Sequence, residues 1–248
     1  MMLRQAMEKS GSQLFRHRSW LPILVIVAAL PAFVEFEYLF NRHEAQEIWT
    51  FVCMLPVLVG QALRFVTVAQ APPFTSGRNR RHQVAEVLNT EGTYSIVRNP
   101  LYLGNCLAWL GLAAIPHSFW LVVSVALAFW LYHERVILAE EAFLESKFGE
   151  QFRQWAEKTP AFLPNPFLWR KTTVPFSFRT ALGREYVNLF ALTTAFALLD
   201  FIADSRAEGR LQLDMGWVVA WSIAFALFLV IRLLKKRTSL LNVPGRAW

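Results

Sequence analysis

The sequence predicts an all-α, polytopic helical membrane protein with about six transmembrane helices and both termini in the cytoplasm. Three observations predict it. Hydrophobic residues are 55% of the chain and charged residues only 17%, against about 45–50% and about 25% in soluble domains. Six long apolar runs punctuate the 248 residues. The basic residues that give the net charge of +7 flank those runs rather than forming a separate patch, which is the membrane pattern and not the nucleic-acid one. Mean hydropathy is +0.33, which excludes a disordered chain and speaks against an ordinary soluble enzyme.

The runs fall at about 20–40, 48–69, 101–115, 119–132, 187–203 and 215–234. A span needs about 20 residues at 1.5 Å rise across a core of about 30 Å. The first, second and sixth runs are long enough. The third and fourth are short and flank Pro116, so they read as a tight helical hairpin whose second arm continues beyond His133. No small-x-small cleavage site is well placed after Val34, and Glu35 and Glu37 follow at once, so the first run reads as a retained span rather than a cleaved signal. Of the 25 Lys and Arg residues, 19 lie in the segments assigned to the cytoplasm and three (Arg42, Arg206, Arg210) on the opposite side. That imbalance sets the orientation and suits the cytoplasmic (inner) membrane of a bacterium. Cys53 and Cys106 lie in apolar runs and read as buried, reduced thiols.

The chain is read as one membrane domain over 1–248. A two-helix region covers 1–69, a polar-motif region with the hairpin covers 70–166, and a two-helix extension covers 167–248. No glycine-rich phosphate loop, G-x-S-x-G elbow or metal-ligand spacing is present, so no metal is expected.

Polar chemistry concentrates in two segments on the predicted cytoplasmic side. The first holds Gly92, Tyr94, Arg98, Asn99, Pro100, Leu101, Tyr102 and Gly104. Asn99 is placed to cap a helix that starts at Pro100, and Gly104 to permit close helix packing. A helix N-terminus favours anions, and tyrosine faces attract a compact cation. The second segment holds His133, Glu134, Arg135, Glu140, Glu141, Leu144, Phe148, Gly149, Trp155, Pro160, Phe162 and Pro164. His133, Ile137, Glu140 and Leu144 recur at helical spacing and share one face.

Together these segments resemble the membrane methyltransferase superfamily of isoprenylcysteine carboxyl methyltransferases and phospholipid N-methyltransferases. The shared pattern is G-x-Y, R-x-P-x-Y-x-G, a hairpin, E-E-x-x-L, F-G and P-x-F-x-P, over roughly residues 55–166. Leu63-Arg64 matches a further family feature. Asn99 stands where the eukaryotic isoprenylcysteine enzymes have histidine; it keeps the cap but cannot titrate. Residues 170–248 extend past the end of the better-known members and are read as helical packing or self-association, a homodimer through the C-terminal helices.

The resemblance implies an S-adenosylmethionine-dependent methyltransferase that acts at the cytoplasmic membrane face. Its acceptor would be a membrane lipid or lipidated substrate, such as an isoprenylcysteine carboxylate or phospholipid headgroup; nucleic acid is not expected as a partner. Carried over residue by residue, Val87, Leu88, Asn89, Tyr94, Asn99, Pro100, Leu101, Tyr102 and Glu140 line the donor pocket. Arg98, Arg135 and Glu141 are the catalytic candidates. Arg64 is either snorkelling to the interface or a partner for an anionic headgroup. Two alternatives stand beside this reading: an NADPH-dependent enzyme like the membrane sterol reductases, and a small-thiol methyltransferase. The paired Glu140-Glu141 favours methyl transfer.

Overall fold

The computed structural model describes residues 3–17, 24, 27–34, 36–72, 85–243 and 246. Among them the fold is helix and loop, with two isolated bridges, Gly92 to Arg170 and Val243 to Arg246. The helices are α1 (Leu3–His17), α2 (His43–Ala69), the single turn α3 (Thr93–Ile96), α4 (Pro100–Ala114), α5 (Phe119–Phe148), α6 (Glu150–Lys158), α7 (Phe178–Ala207) and α8 (Met215–Arg237). The expected all-α polytopic class is what the chain adopts.

Four helices, α2, α5, α7 and α8, are long and apolar enough to cross a membrane. The 27 residues of α2 rise about 40 Å, more than the core of about 30 Å. The third expected span is α4, only 15 residues long. Residues 20–23, 25, 26 and 35 of the expected span at 20–40 lie outside the described residues; within it the chain makes a short 3-10 turn at Leu30–Phe33 that buries Phe33. The count of six spans therefore rests, for its first member, on the sequence alone.

Local chemistry sets the boundaries. Pro100 is the first residue of α4, where a missing N–H costs nothing. The hairpin turns over residues 115–118, with His117 in the left-handed region at φ 49°. Ser118 caps α5 by accepting from the Leu121 amide at 3.3 Å, Ser177 caps α7 from Thr180 at 3.2 Å, and Asp214 caps α8 from Trp217 at 3.0 Å. Beyond His133, α5 continues unbroken to Phe148, as the hairpin reading requires.

The bundle is held by a seam of small residues and a core of rings. The most extensive long-range packing joins α2 to α4. Their backbones almost touch: a Cβ on Gly104 would lie 2.6 Å from the Gly60 carbonyl oxygen, and one on Gly111 would lie 2.6 Å from that of Cys53. Lipid offers no hydrophobic gain for burying Leu against Leu, so close backbone approach does this work. Around the seam, Phe33, Phe36, Val57, Trp109, Phe129, Phe196 and Leu199 form one buried cluster. Cys53 is buried there, but Cys106 is only partly buried, and both are free thiols. The helix α1 lies along α5, with the Tyr132 hydroxyl donating to the Leu14 carbonyl.

The long helices alternate in direction. The C-terminal ends of α2, α5 and α8 and the N-terminal ends of α4 and α7 meet at one end of the bundle. Ser177 N donates to the Ala69 carbonyl there at 3.0 Å, and Lys235 Nζ to the Gly183 carbonyl at 3.0 Å. At the other end, His43 of α2 faces Asp204 of α7 at 3.7 Å. Both polar segments singled out from the sequence sit at the first end. The extension is not a separate appendage: α7 packs on both α2 and α8.

Candidate active site

The site begins with a loop that the chain cannot hold by itself. Residues 85–92 carry no regular structure, so their polar groups must be satisfied from elsewhere. Residues 170–173 do so. The Gly92 amide donates to the Arg170 carbonyl at 2.9 Å, and Arg170 N donates back to Ser95 Oγ at 2.9 Å. Glu91 accepts from the amide of Thr173 at 2.8 Å and from its hydroxyl at 3.0 Å. These bonds, with the nearby Arg170 charge, hold the Glu91 carboxyl below the usual carboxylate range. Gly92 sits at φ 58°, a conformation that a side chain would strain.

The second strap is the segment that closes the motif. Arg98 N donates to the Pro160 carbonyl and Asn165 N to the Ile96 carbonyl, both at 2.9 Å. Asn99 occupies the capping position, but its side chain makes no capping bond. It donates instead to the Ala161 carbonyl at 2.9 Å, which corrects the capping role read from the sequence. Trp155 is 7% exposed. It packs with Leu88 and Phe152 against Tyr94, and its indole donates to the Tyr94 carbonyl at 3.2 Å.

Two contacts then join the motifs across α4 and α5. The Tyr102 hydroxyl donates to Glu140 Oε1 at 2.9 Å. Arg98 Nε lies 3.4 Å from Glu141 Oε1, a charge contact in which that buried N–H makes no formed hydrogen bond. Beside the pair is a cavity of about 220 Å³ lined by Arg98, Glu141, His133, Trp130, Ile137 and Phe162, among others. Its lining combines charged side chains (Arg98, Glu134, Glu141) with apolar ones. Burial pushes the Tyr94 hydroxyl above its ordinary value; the Glu140 charge adds to the shift, and Arg64 and Arg184 oppose it.

The remaining candidates divide. Leu88 and Pro100 are buried supports, Asn89 accepts from the Glu91 amide at 3.3 Å, and Val87 is 55% exposed. The Leu101 carbonyl accepts from Arg64 Nη1 at 3.4 Å. Arg135 is not brought to the cluster. At 100° per residue it stands about 120–140° around α5 from Glu140 and Glu141. It donates to its own helix at the Leu131 carbonyl, and its carbonyl packs on Gly11 of α1.

Arg64 neither snorkels nor faces the cavity. Its Nε and Nη2 grip both oxygens of Glu185 at 2.9 and 2.8 Å, and Nη1 donates to Asn105 Oδ1 at 2.8 Å. Gln61 donates to the same carboxylate at 3.1 Å and accepts from Asn188 at 2.6 Å. Sequence reasoning missed Glu185, Asn105 and Asn188. The available signal was that each is a polar residue within an apolar helix, where a partner is obligatory. It also gave no role to His133, which is buried, stacks on Phe129 at 3.7 Å and lines the cavity.

Comparison with known proteins covers the same region. Residues 48–151 match the family model described as phospholipid methyltransferase. The chain is 36% identical over 139 residues to the cobalt-zinc-cadmium resistance protein CzcN of Cupriavidus metallidurans, covering 56% of this chain and 62% of that one. It is 32% identical over 160 residues to the nickel-cobalt-cadmium resistance protein NccN of Alcaligenes xylosoxydans xylosoxydans, covering 64% and 70%. It is 30% identical over 139 residues to the protein-S-isoprenylcysteine O-methyltransferase of Schizosaccharomyces pombe, covering 54% of each. The matches thus span between about half and 70% of these relatives. No solved structure matches the chain. With the two motifs brought to one end of the bundle and these relatives sharing the region that carries them, the chain belongs to the phospholipid methyltransferase and isoprenylcysteine O-methyltransferase family of membrane proteins.

Proposed function

We propose that this chain is an S-adenosylmethionine-dependent methyltransferase that modifies an amphiphilic acceptor at the cytoplasmic face of the membrane. The observation that carries the reading is the joining of α4 to α5 by Tyr102–Glu140 and Arg98–Glu141 beside a cavity lined by charged and apolar side chains. A methyltransferase working between water and lipid needs such a boundary site: one side for a soluble donor, the other for a greasy acceptor.

The residues fit the donor's chemistry. Glu140 offers a carboxylate to hydroxyl or ammonium groups, Tyr94 and Tyr102 offer aromatic faces to a cation, and Arg98 offers an N–H that makes no hydrogen bond to a carboxylate. When bound, S-adenosylmethionine supplies an already activated methyl group on a sulfonium. The protein's part is then alignment and exclusion of water. Glu140, locked by Tyr102, orients the donor. Glu141 orients the acceptor's polar group, and Trp130, Ile137 and Phe162 take its apolar portion. The relatives named isoprenylcysteine O-methyltransferase and the phospholipid methyltransferase family model support a lipid or lipidated acceptor. The charge pattern of the loops supports the cytoplasmic orientation and, with the bacterial relatives, an inner-membrane location.

Calorimetric titration of the purified chain with S-adenosylmethionine, and with NADPH in parallel, tests the reading. Donor binding that is lost in Glu140→Gln is the expected result. Binding of NADPH alone would replace the reading with a reductase.

A further inference from the structure

We propose that Glu185 is a positioning residue of the methyl-transfer site, acting through Arg64 on the first turn of α4. This rests on the donor-binding reading above. It makes the C-terminal helix pair a working part of the site, although that pair lies wholly outside the matched residues 48–151.

The chain of contacts is continuous. Glu185 on α7 is 3% exposed and holds Arg64 of α2 with two hydrogen bonds at 2.9 and 2.8 Å. The paired fork fixes the plane of the guanidinium, and this aims Nη1 at α4, where it meets the Leu101 carbonyl at 3.4 Å and Asn105 Oδ1 at 2.8 Å. The arginine stem crosses α4 at its thinnest point: a Cβ on Gly104 would lie 2.6 Å from Arg64 Cγ. Leu101 immediately precedes Tyr102, whose hydroxyl holds Glu140. The orientation of the Tyr102–Glu140 pair is therefore tied, two contacts away, to a carboxylate on α7.

The carboxylate is itself held. Gln61 donates to Glu185 Oε2 at 3.1 Å, and Asn188 donates to Gln61 Oε1 at 2.6 Å. Five polar side chains from three helices constrain a single geometry, and a fully satisfied network of this kind holds its members in one orientation. The straps from residues 170–173 onto Glu91, Gly92 and Ser95 brace the donor loop from the same extension.

The test is titration of the full chain with S-adenosylmethionine, with a thermal midpoint measured on each variant. Glu185→Ala and Arg64→Ala should each weaken donor binding about tenfold, the scale of a lost charged hydrogen bond. The double variant should be no weaker than either single one, since the two act as a unit. A lone buried charge can prevent folding, so Arg64→Met with Glu185→Leu serves as a second probe that removes both charges and keeps the volume. That variant should fold and still bind the donor about tenfold more weakly, because the hold on Leu101 and Asn105 is gone. Wild-type affinity in the folded Met/Leu variant would overturn the inference and leave a purely structural pair. If the wild-type chain binds no donor, the functional reading falls and this inference falls with it.

Discussion

Tyr102 and Glu140 stand 38 residues apart in sequence, yet the phenol donates to Oε1 of the carboxylate at 2.9 Å. The bond ties the first turn of α4 to the C-terminal half of α5. Tyr102→Phe removes one hydroxyl and little volume. It should weaken S-adenosylmethionine binding by about 1.5–3 kcal/mol, the scale of a hydrogen bond to a charged group, and leave the thermal midpoint in detergent nearly unchanged. Glu140→Gln keeps an acceptor for Tyr102 but removes the charge, and should cost more. Equal affinities of wild type and both variants would separate this pair from donor binding.

The Asn99 side-chain amide donates to the Ala161 carbonyl. A donor is what the position requires. Asn99→His preserves one and should keep the 160–165 segment docked. Asn99→Asp places an anion against a carbonyl oxygen, so it should destabilise the protein by about 1–3 kcal/mol. Limited proteolysis between α6 and α7 reads this directly: faster cleavage in Asn99→Asp, unchanged cleavage in Asn99→His.

The α2–α4 seam predicts a steric result. Gly104→Ala puts a methyl group against the Gly60 carbonyl oxygen and the Arg64 stem. Overpacking of this kind costs about 1–3 kcal/mol, read as a lower thermal midpoint in detergent. Gly209→Ala serves as the comparison. No atom lies within 4 Å of its Cβ position, but its φ of 65° makes the cost one of backbone strain alone, about 1 kcal/mol.

Glu91 predicts a pH dependence. Its carboxyl is held below the reference value of 4.5, first by the Thr173 amide and then by the Thr173 hydroxyl. A depressed carboxylate contributes stability in full above its unfolded pKa and loses it as pH falls through the folded value. The difference in thermal midpoint between wild type and Glu91→Gln should therefore be present at pH 7 and vanish as the solution is acidified below 4.5. A difference that persists in acid would show that Glu91 acts through something other than its charge.

What the sequence made legible follows from range. Helix type, the hairpin at Pro116 and the clustering of two motifs at one end depend on local period and charge asymmetry, and these survive in a single chain. The position of Asn99 at a helix start was local too, but the destination of its side chain was not. It depends on a carbonyl 62 residues away, and no propensity encodes that. Arg135 was misgrouped because nearness in sequence hides rotation about the helix axis. Glu185 carried no motif; only the cost of leaving Arg64 unpaired in an apolar helix pointed to a partner, and nothing local said which.

That partnership also has a place in time. Glu185 lies 121 residues after Arg64, so at about 5–20 residues per second of synthesis it is made some 6–24 s later. Until then α2 enters the bilayer with an arginine whose permanent counter-charge does not yet exist, and Asn105, 41 residues on, is the earlier polar group to reach it. The Arg64–Glu185 ion pair can thus form only when α7 arrives. Assembly of the bundle closes from the C-terminal side, and a nascent chain released before α7 inserts would hold the signature motifs without the ion pair that sets their alignment.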